Sequence, residues 1–222
     1  GLIVIEPDMG TTLLLTAICT TLLVIAGVRI RHLLLLGTPC ALVVLAFAIT
    51  KLDYIWRRIG AFFDPAGAAN GTGYQQLQAQ IALGSGGPFG VGLGAGHQKL
   101  LFLPDVHTDF VFALVGEELG FVGALAVVGG FAALAIYGMK AVDRAKDSFS
   151  FLLATGIVLL LGAQSLLNIA VATASVPPKG IALPFLSFGG SSLIAAAAAA
   201  GILTRIAATG RDPSPLFVED GE

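Results

Sequence analysis

The stretch FVFALVGEELGFVGALAVVGGFAALAIYGM, Phe110–Met139, decides what kind of protein this is. It is apolar or glycine almost throughout, and its two charged residues, Glu117 and Glu118, sit together near the start. A helix needs about 20 apolar residues to cross a bilayer, and this run exceeds that. Four more runs qualify: Thr12–Val28, Leu33–Ile55, Phe149–Ser175 and Ser191–Ala208. Gly1–Ile5 is also apolar and reads as the end of a sixth, as in a piece of a longer chain. The runs are continuous rather than alternating, which excludes a membrane β-barrel. The expected fold is therefore all-α: a polytopic integral membrane helical bundle over residues 1–210. It has about five full transmembrane helices plus the end of another. The polar, proline-containing segment 211–222 is expected to be a disordered cytoplasmic tail.

Composition agrees. The chain is 56% hydrophobic and 12% charged, with a mean hydropathy of +0.90, against about 25% charged residues in soluble domains. The net charge of −2 says nothing about nucleic acid, but the chain shows no basic stripe, and no nucleic-acid partner is expected. Cys19 and Cys40 lie in apolar runs and read as small buried hydrophobes rather than metal ligands. Arg29, Arg31, Lys140, Arg144, Lys146, Arg205 and Arg211 fall on one side of the spans, and Lys51, Arg57, Arg58, Lys99 and Lys179 on the other. The positive-inside rule puts the first group in the cytoplasm. It leaves a large extracytoplasmic loop at about 57–108, too long for a simple connector. Within it, Tyr74, Leu77 and Ile81 share a helical face, which predicts a short interfacial or re-entrant helix. The glycines from Gly84 to Gly96 lack dinucleotide or P-loop spacing and predict tight turns and close packing.

Just before the long apolar run comes Leu103-Pro104-Asp105-Val106-His107-Thr108-Asp109. A carboxylate in lipid costs several kcal/mol, roughly 2.5 or more, so acids gathered at a span mouth point to chemistry. Each also has a plain structural reading. Asp109 or Thr108 can cap a helix N-terminus. Glu117 lies ~12 Å along a helix from Asp109 at 1.5 Å per residue, and Glu117 and Glu118 can lock helices together. His107 can be a cap or an interface residue, and Ser191 and Ser192 caps or ligands. Gln164 and Asn168 read as interhelical hydrogen-bonding residues. Glu6 and Asp8 form either a gate or a cap at a helix break.

These residues carry a resemblance. Glu6-Pro7-Asp8-Met9-Gly10-Thr11, Phe63-Asp64-Pro65, Gly73-Tyr74-Gln75, Ile81–Gly87, Gly92-Leu93-Gly94, Gln98-Lys99 and Phe102-Leu103-Pro104 occur in this order. His107–Phe110, Gly116–Gly120, Asn168, Pro178-Lys179-Gly180-Ile181, Leu183-Pro184 and Ser187–Ser192 follow. Together they resemble the SEDS family (shape, elongation, division and sporulation), closer to its cell-division (FtsW) branch than to its elongation (RodA) branch. The match covers the C-terminal half of a plan of about ten spans. Glu6 stands for Gln, Asp105 for Glu, and Ala170 and Ala174 for Gly.

The resemblance implies a peptidoglycan glycosyltransferase that polymerises lipid II into glycan strands during cell division or cell-shape maintenance. Such a protein is expected in the bacterial cytoplasmic membrane, at the septum. Its partners would be a class B penicillin-binding protein transpeptidase and other membrane proteins of the division or elongation complex. It implies Asp109 as the catalytic base. Substrate contacts are expected from Gln98, Lys99, His107, Thr108, Lys179, Ser191, Ser192, Arg57 and Arg58. Glu6, Asp8, Glu117, Glu118 and Asn168 would be structural or accessory. No cofactor is required, though a divalent cation has room to assist. Two other classes fit a polytopic bundle with buried acids: a lipid II flippase or transporter, and a non-catalytic scaffold of the division complex.

Overall fold

The computed structural model describes residues 9–35, 37–39, 49, 52, 56, 60, 62, 72–96 and 109–210. Five helices organise them: α1 (Met9–Ile25), α2 (Thr72–Ser85), α3 (Val111–Asp143), α4 (Ser148–Ala172) and α5 (Gly190–Thr209). Residues 30–35 and 37–39 are helical too. Among the described residues, α3, α4 and α5 are long and apolar enough to cross a membrane, and α1 is a shorter apolar helix. The bundle is all-α, as expected. Most of Leu33–Ile55 and the tail 211–222 lie outside the described residues.

α3, α4 and α5 pack around Ala141, Val142, Ala154, Ile157, Leu161, Ala196, Leu203 and Ile206. Large side chains face away from this seam: Phe121 is 67% exposed, Phe149 73% and Ile194 72%. Such outward apolar faces suit lipid rather than water. Cys19 is exposed on α1 rather than buried. Its neighbours Leu14 and Ile18 supply the packed face of that helix.

The face of α2 differs from the expected one. Ile81 is exposed and Tyr74 and Leu77 are only half-buried, while Gly73, Gln76, Ala79 and Ala82 are buried. Small residues at three-residue spacing let the α2 backbone approach α3 closely, and Ala79 and Ala82 pack with Phe110, Ala113 and Val171.

α4 is framed by two local signals. At its start the Asp147 carboxylate accepts from the Ser150 amide and hydroxyl, both at 2.8 Å. The amide bond above all, then the hydroxyl, holds this acid below its ordinary value of 3.8. A depressed carboxyl contributes stability above its unfolded pKa, and that contribution fades as pH falls through the folded value. Asp147→Asn keeps an acceptor oxygen for the cap. We expect near-parental melting at neutral pH and a shallower loss of stability on acidification below pH 3.8; an unchanged acid limb would exclude Asp147 as its source.

At its end Ser175 N–H donates to Ala170 O at 2.7 Å and Ala174 N–H to Val171 O at 3.0 Å. These bonds form a Schellman closure, with Ala174 in the left-handed region at φ 53°. Left-handed backbone costs a residue with a Cβ ~1–2 kcal/mol, and glycine's greater freedom when unfolded returns ~0.5–1 kcal/mol of that. Ala174→Gly is expected to stabilise by ~0.5–1 kcal/mol, read as a raised melting temperature in detergent. A lowered one would mean that α4 ends differently.

Candidate functional site at the start of α3

α3 is not one continuous helix. Gly120 sits at φ 69°, ψ −166°, so Val111–Leu119 and the longer segment from Phe121 onward are separate helical pieces. The break frees the carbonyls of Glu117 and Glu118 and the amides of Phe121 and Val122. The glycine turn after α2 supplies all four partners. Val91 N–H donates to Glu117 O at 3.0 Å and Gly92 N–H to Glu118 O at 3.1 Å. Phe121 N–H donates to Gly87 O at 2.8 Å and Val122 N–H to Pro88 O at 3.1 Å. Irregular backbone at membrane depth is tolerated where protein re-pairs it.

The crossing is backbone on backbone. A Cβ on Gly86 would strike Gly116 O, one on Gly90 would strike Glu118 O, and one on Gly120 would lie 2.7 Å from Phe89 C. The close packing expected of the glycine run is thus directed at Gly116–Gly120. Gly96 covers the acids: a Cβ there would lie 3.0 Å from Glu117 Oε2 and 3.3 Å from Glu118 Cγ. Glu117 is 2% exposed, and Glu118 is half-buried.

Asp109 precedes the first piece and is half-buried. The N-cap position falls on Phe110, whose side chain makes no capping bond. Asn168 on α4 holds this corner: its Nδ2 donates to Asp109 O at 2.8 Å and to Ile181 O at 2.6 Å. Gln76 on α2 donates from Nε2 to Val176 O at 3.2 Å. The two amides therefore pin both ends of the Pro177-Pro178-Lys179-Gly180 loop. Gln76 is fully buried and Asn168 1% exposed. Their carbonyl oxygens, Gln76 Oε1 and Asn168 Oδ1, lack a partner among the described residues. The loop brings Gly180 against Asp109, where a Cβ would fall 2.8 Å from Oδ2 and 3.5 Å from Cγ. Lys179, next in the chain, is half-buried.

The structure thus gathers Asp109, Asn168 and the Lys179–Gly180 turn, with Glu117 and Glu118 at the far end of the same first piece of α3, just before the break. Ser191 and Ser192 are exposed on the first turn of α5. Gly189 is its N-cap, without a side-chain bond, so neither serine is the cap. Glu6, Asp8, Arg57, Arg58, Gln98, Lys99, His107 and Thr108 lie outside the described residues. Sequence reading assigns Gln76 no role, and it places Gly96, Gly120 and Gly180 in the glycine run or in motifs without assigning them to the site. Gln76 is one of four glutamines on α2, with Gln75, Gln78 and Gln80, and nothing in the sequence sets it apart.

The chain is similar to known proteins over nearly its whole length. Residues 1–212 match the family described as cell cycle protein, FtsW/RodA/SpoVE. A probable peptidoglycan glycosyltransferase FtsW of Trichlorobacter lovleyi is 41% identical over 222 residues, covering 100% of this chain and 58% of that protein. The counterpart from Halomonas elongata is 46% identical over 210 residues, 92% of this chain and 52% of its own. A solved chain, from a study of the structural coordination of polymerization and crosslinking by a peptidoglycan synthase complex, superposes with a TM-score of 0.72 at 28% identity. It covers 96% of this chain, which covers 59% of it. The chain spans about half the length of the curated relatives it matches.

Proposed function

The chain belongs to the FtsW/RodA/SpoVE family of cell cycle proteins, and from that premise we propose that it is the catalytic half of a peptidoglycan glycosyltransferase that polymerises lipid II. The observation that carries this reading is the Asp109 corner: a carboxylate set before a helix, fixed through its own carbonyl by Asn168 and flanked by the Lys179–Gly180 turn. In the reaction a sugar hydroxyl attacks an anomeric carbon. The new C–O bond forms as the bond to the lipid pyrophosphate breaks, the hydroxyl proton passes to Asp109, and the electron pair leaves with the pyrophosphate. A positioned carboxylate base contributes roughly 100-fold or more to such a step. Lys179 supplies positive charge to the leaving group. Lys99, Arg57, Arg58, Gln98, His107 and Thr108 would complete the headgroup site. Ser191 and Ser192, exposed on the first turn of α5, would reach only a part of the substrate that extends to that helix.

The proposal includes five full spans with Asp109 at the outer face, a class B penicillin-binding protein transpeptidase as partner, and the division septum as the place of action. The similarity to a chain from a peptidoglycan synthase complex supports the partner. No resident cofactor is invoked. Assays with and without chelator decide whether a divalent cation accompanies the pyrophosphate.

One observation favours a second reading. A membrane helix broken beside two acids also suits a transporter. The full-length protein, purified and given lipid II, separates the two. Glycan strands that vanish with Asp109→Asn support the polymerase. Movement of labelled lipid across sealed vesicles without strand formation would replace it by the transporter.

A further inference from the structure

At the end of the bundle remote from Asp109, α3 and α5 leave a groove of about 400 Å3 between them. Its walls include Leu134, Tyr137, Gly138 and Leu203, and Lys140 and Arg144 stand at its polar end. The close approach of α3 to its neighbours at Gly138, where a Cβ would lie 2.6 Å from Val158 Cγ2 and 3.3 Å from Leu203 Cδ2, shapes the floor. From Phe121 to Lys140 the helix rises ~29 Å at 1.5 Å per residue, close to the ~30 Å of a hydrocarbon core. Phe121–Met139 carries no charge, so Lys140 and Arg144, the first cations after it, stand at the headgroup level that ends the span.

Their charge is not met from within the described protein. Among the described residues no carboxylate pairs with Lys140 or Arg144. Lys140 Nζ lies over the Tyr137 ring, 5.0 Å from its centroid. Asp147 is committed to Ser150. Asp143, between the two cations in sequence, is exposed and does not line the groove. A smaller hollow of about 140 Å3 is lined by Lys146 and Arg205 beside Asp147, so among the described residues of this end cations outnumber acids.

We propose that the groove is a binding site for an anionic phospholipid of the adjacent leaflet, separate from the Asp109 site. The phosphate lies against Lys140 and Arg144, and an acyl chain runs along Leu134, Gly138 and Leu203. An apolar slot between two membrane helices fits a hydrocarbon chain. Paired cations at its mouth fit a phosphodiester and select against a zwitterionic headgroup, whose own cation opposes them. The occupant is thus set by charge and by depth in the membrane.

The test is native mass spectrometry of the full-length protein in detergent micelles carrying equal amounts of phosphatidylglycerol and phosphatidylcholine. The parent is expected to retain phosphatidylglycerol selectively. Lys140→Gln with Arg144→Gln should reduce that retention at least tenfold. Arg29→Gln with Arg31→Gln, which removes the same charge from exposed positions elsewhere, should leave it unchanged. Ala200→Leu fills the lining without touching a charge and should also release the lipid. Lys140→Arg with Arg144→Lys should retain it, which separates loss of the site from loss of folding. Equal retention of both lipids by the parent overturns the proposal. So does equal loss in both double-glutamine variants, or unchanged retention when the groove is neutralised, as expected if another protein segment fills it.

Discussion

Asp109→Asn is expected to lower glycan polymerisation from lipid II by at least ~100-fold, the lower end of what a general base contributes. The exchange alters one atom and almost no volume. The Asn168 bond runs to the Asp109 carbonyl, not its side chain, so the substitution leaves that anchor in place. Gly180 leaves room for either side-chain end. Protein level, melting temperature and partner binding should therefore match the parent while turnover collapses. Turnover within a few-fold of the parent would demote Asp109 to a structural role. It would also move attention to Glu117, which is buried one turn before the helix break.

Gly120→Ala is expected to destabilise the protein by ~3 kcal/mol or more. Two costs add: a backbone conformation open almost only to glycine, about 1–3 kcal/mol, and overpacking of about 1–3 kcal/mol. The second arises because the new Cβ would meet the Phe89–Gly90 backbone, which cannot rotate away. Thermal unfolding in detergent and the folded yield from membranes read the effect. Gly90→Ala, at φ 81° and against the Glu118 carbonyl, should behave alike, whereas Gly129→Ala, in open space, should not. Parental melting of Gly120→Ala would mean that α3 is continuous and the stitched break is absent.

The spans were legible because lipid imposes a length and an apolarity that no other setting demands. Phe110–Met139, Phe149–Ser175 and Ser191–Ala208 correspond to α3, α4 and α5. The break at Gly120 was not, because one glycine in an apolar run looks the same whether the helix continues or stops. What stops it is a turn some thirty residues earlier whose amides replace the helical ones. The face of α2 was misread for a related reason. Hydrophobicity favoured Tyr74, Leu77 and Ile81, but the helix turns its smallest residues inward, and Gln76 is carried in because its amide reaches Val176. Asn168 was legible as a polar residue needing an interhelical partner. That its partners are backbone carbonyls on both sides of the site depends on a loop whose course no periodicity reveals. Asp109 was found through its motif. The contact with Gly180, 71 positions later in the numbering, is a product of the fold.

The division of α3 at Gly120 also orders the events of biogenesis. The segment from Phe121 to Met139 carries no charge and can partition into lipid as the chain leaves the insertion machinery. Val111–Leu119 contains two glutamates, each costing about 2.5 kcal/mol or more near the centre of a bilayer, and so does not partition with it. It takes its place only once Val91 and Gly92 have met the Glu117 and Glu118 carbonyls and Gly96 has covered the carboxylates. The Asp109 corner, which leads into this segment, therefore depends on contacts that the insertion of the apolar segment alone does not supply.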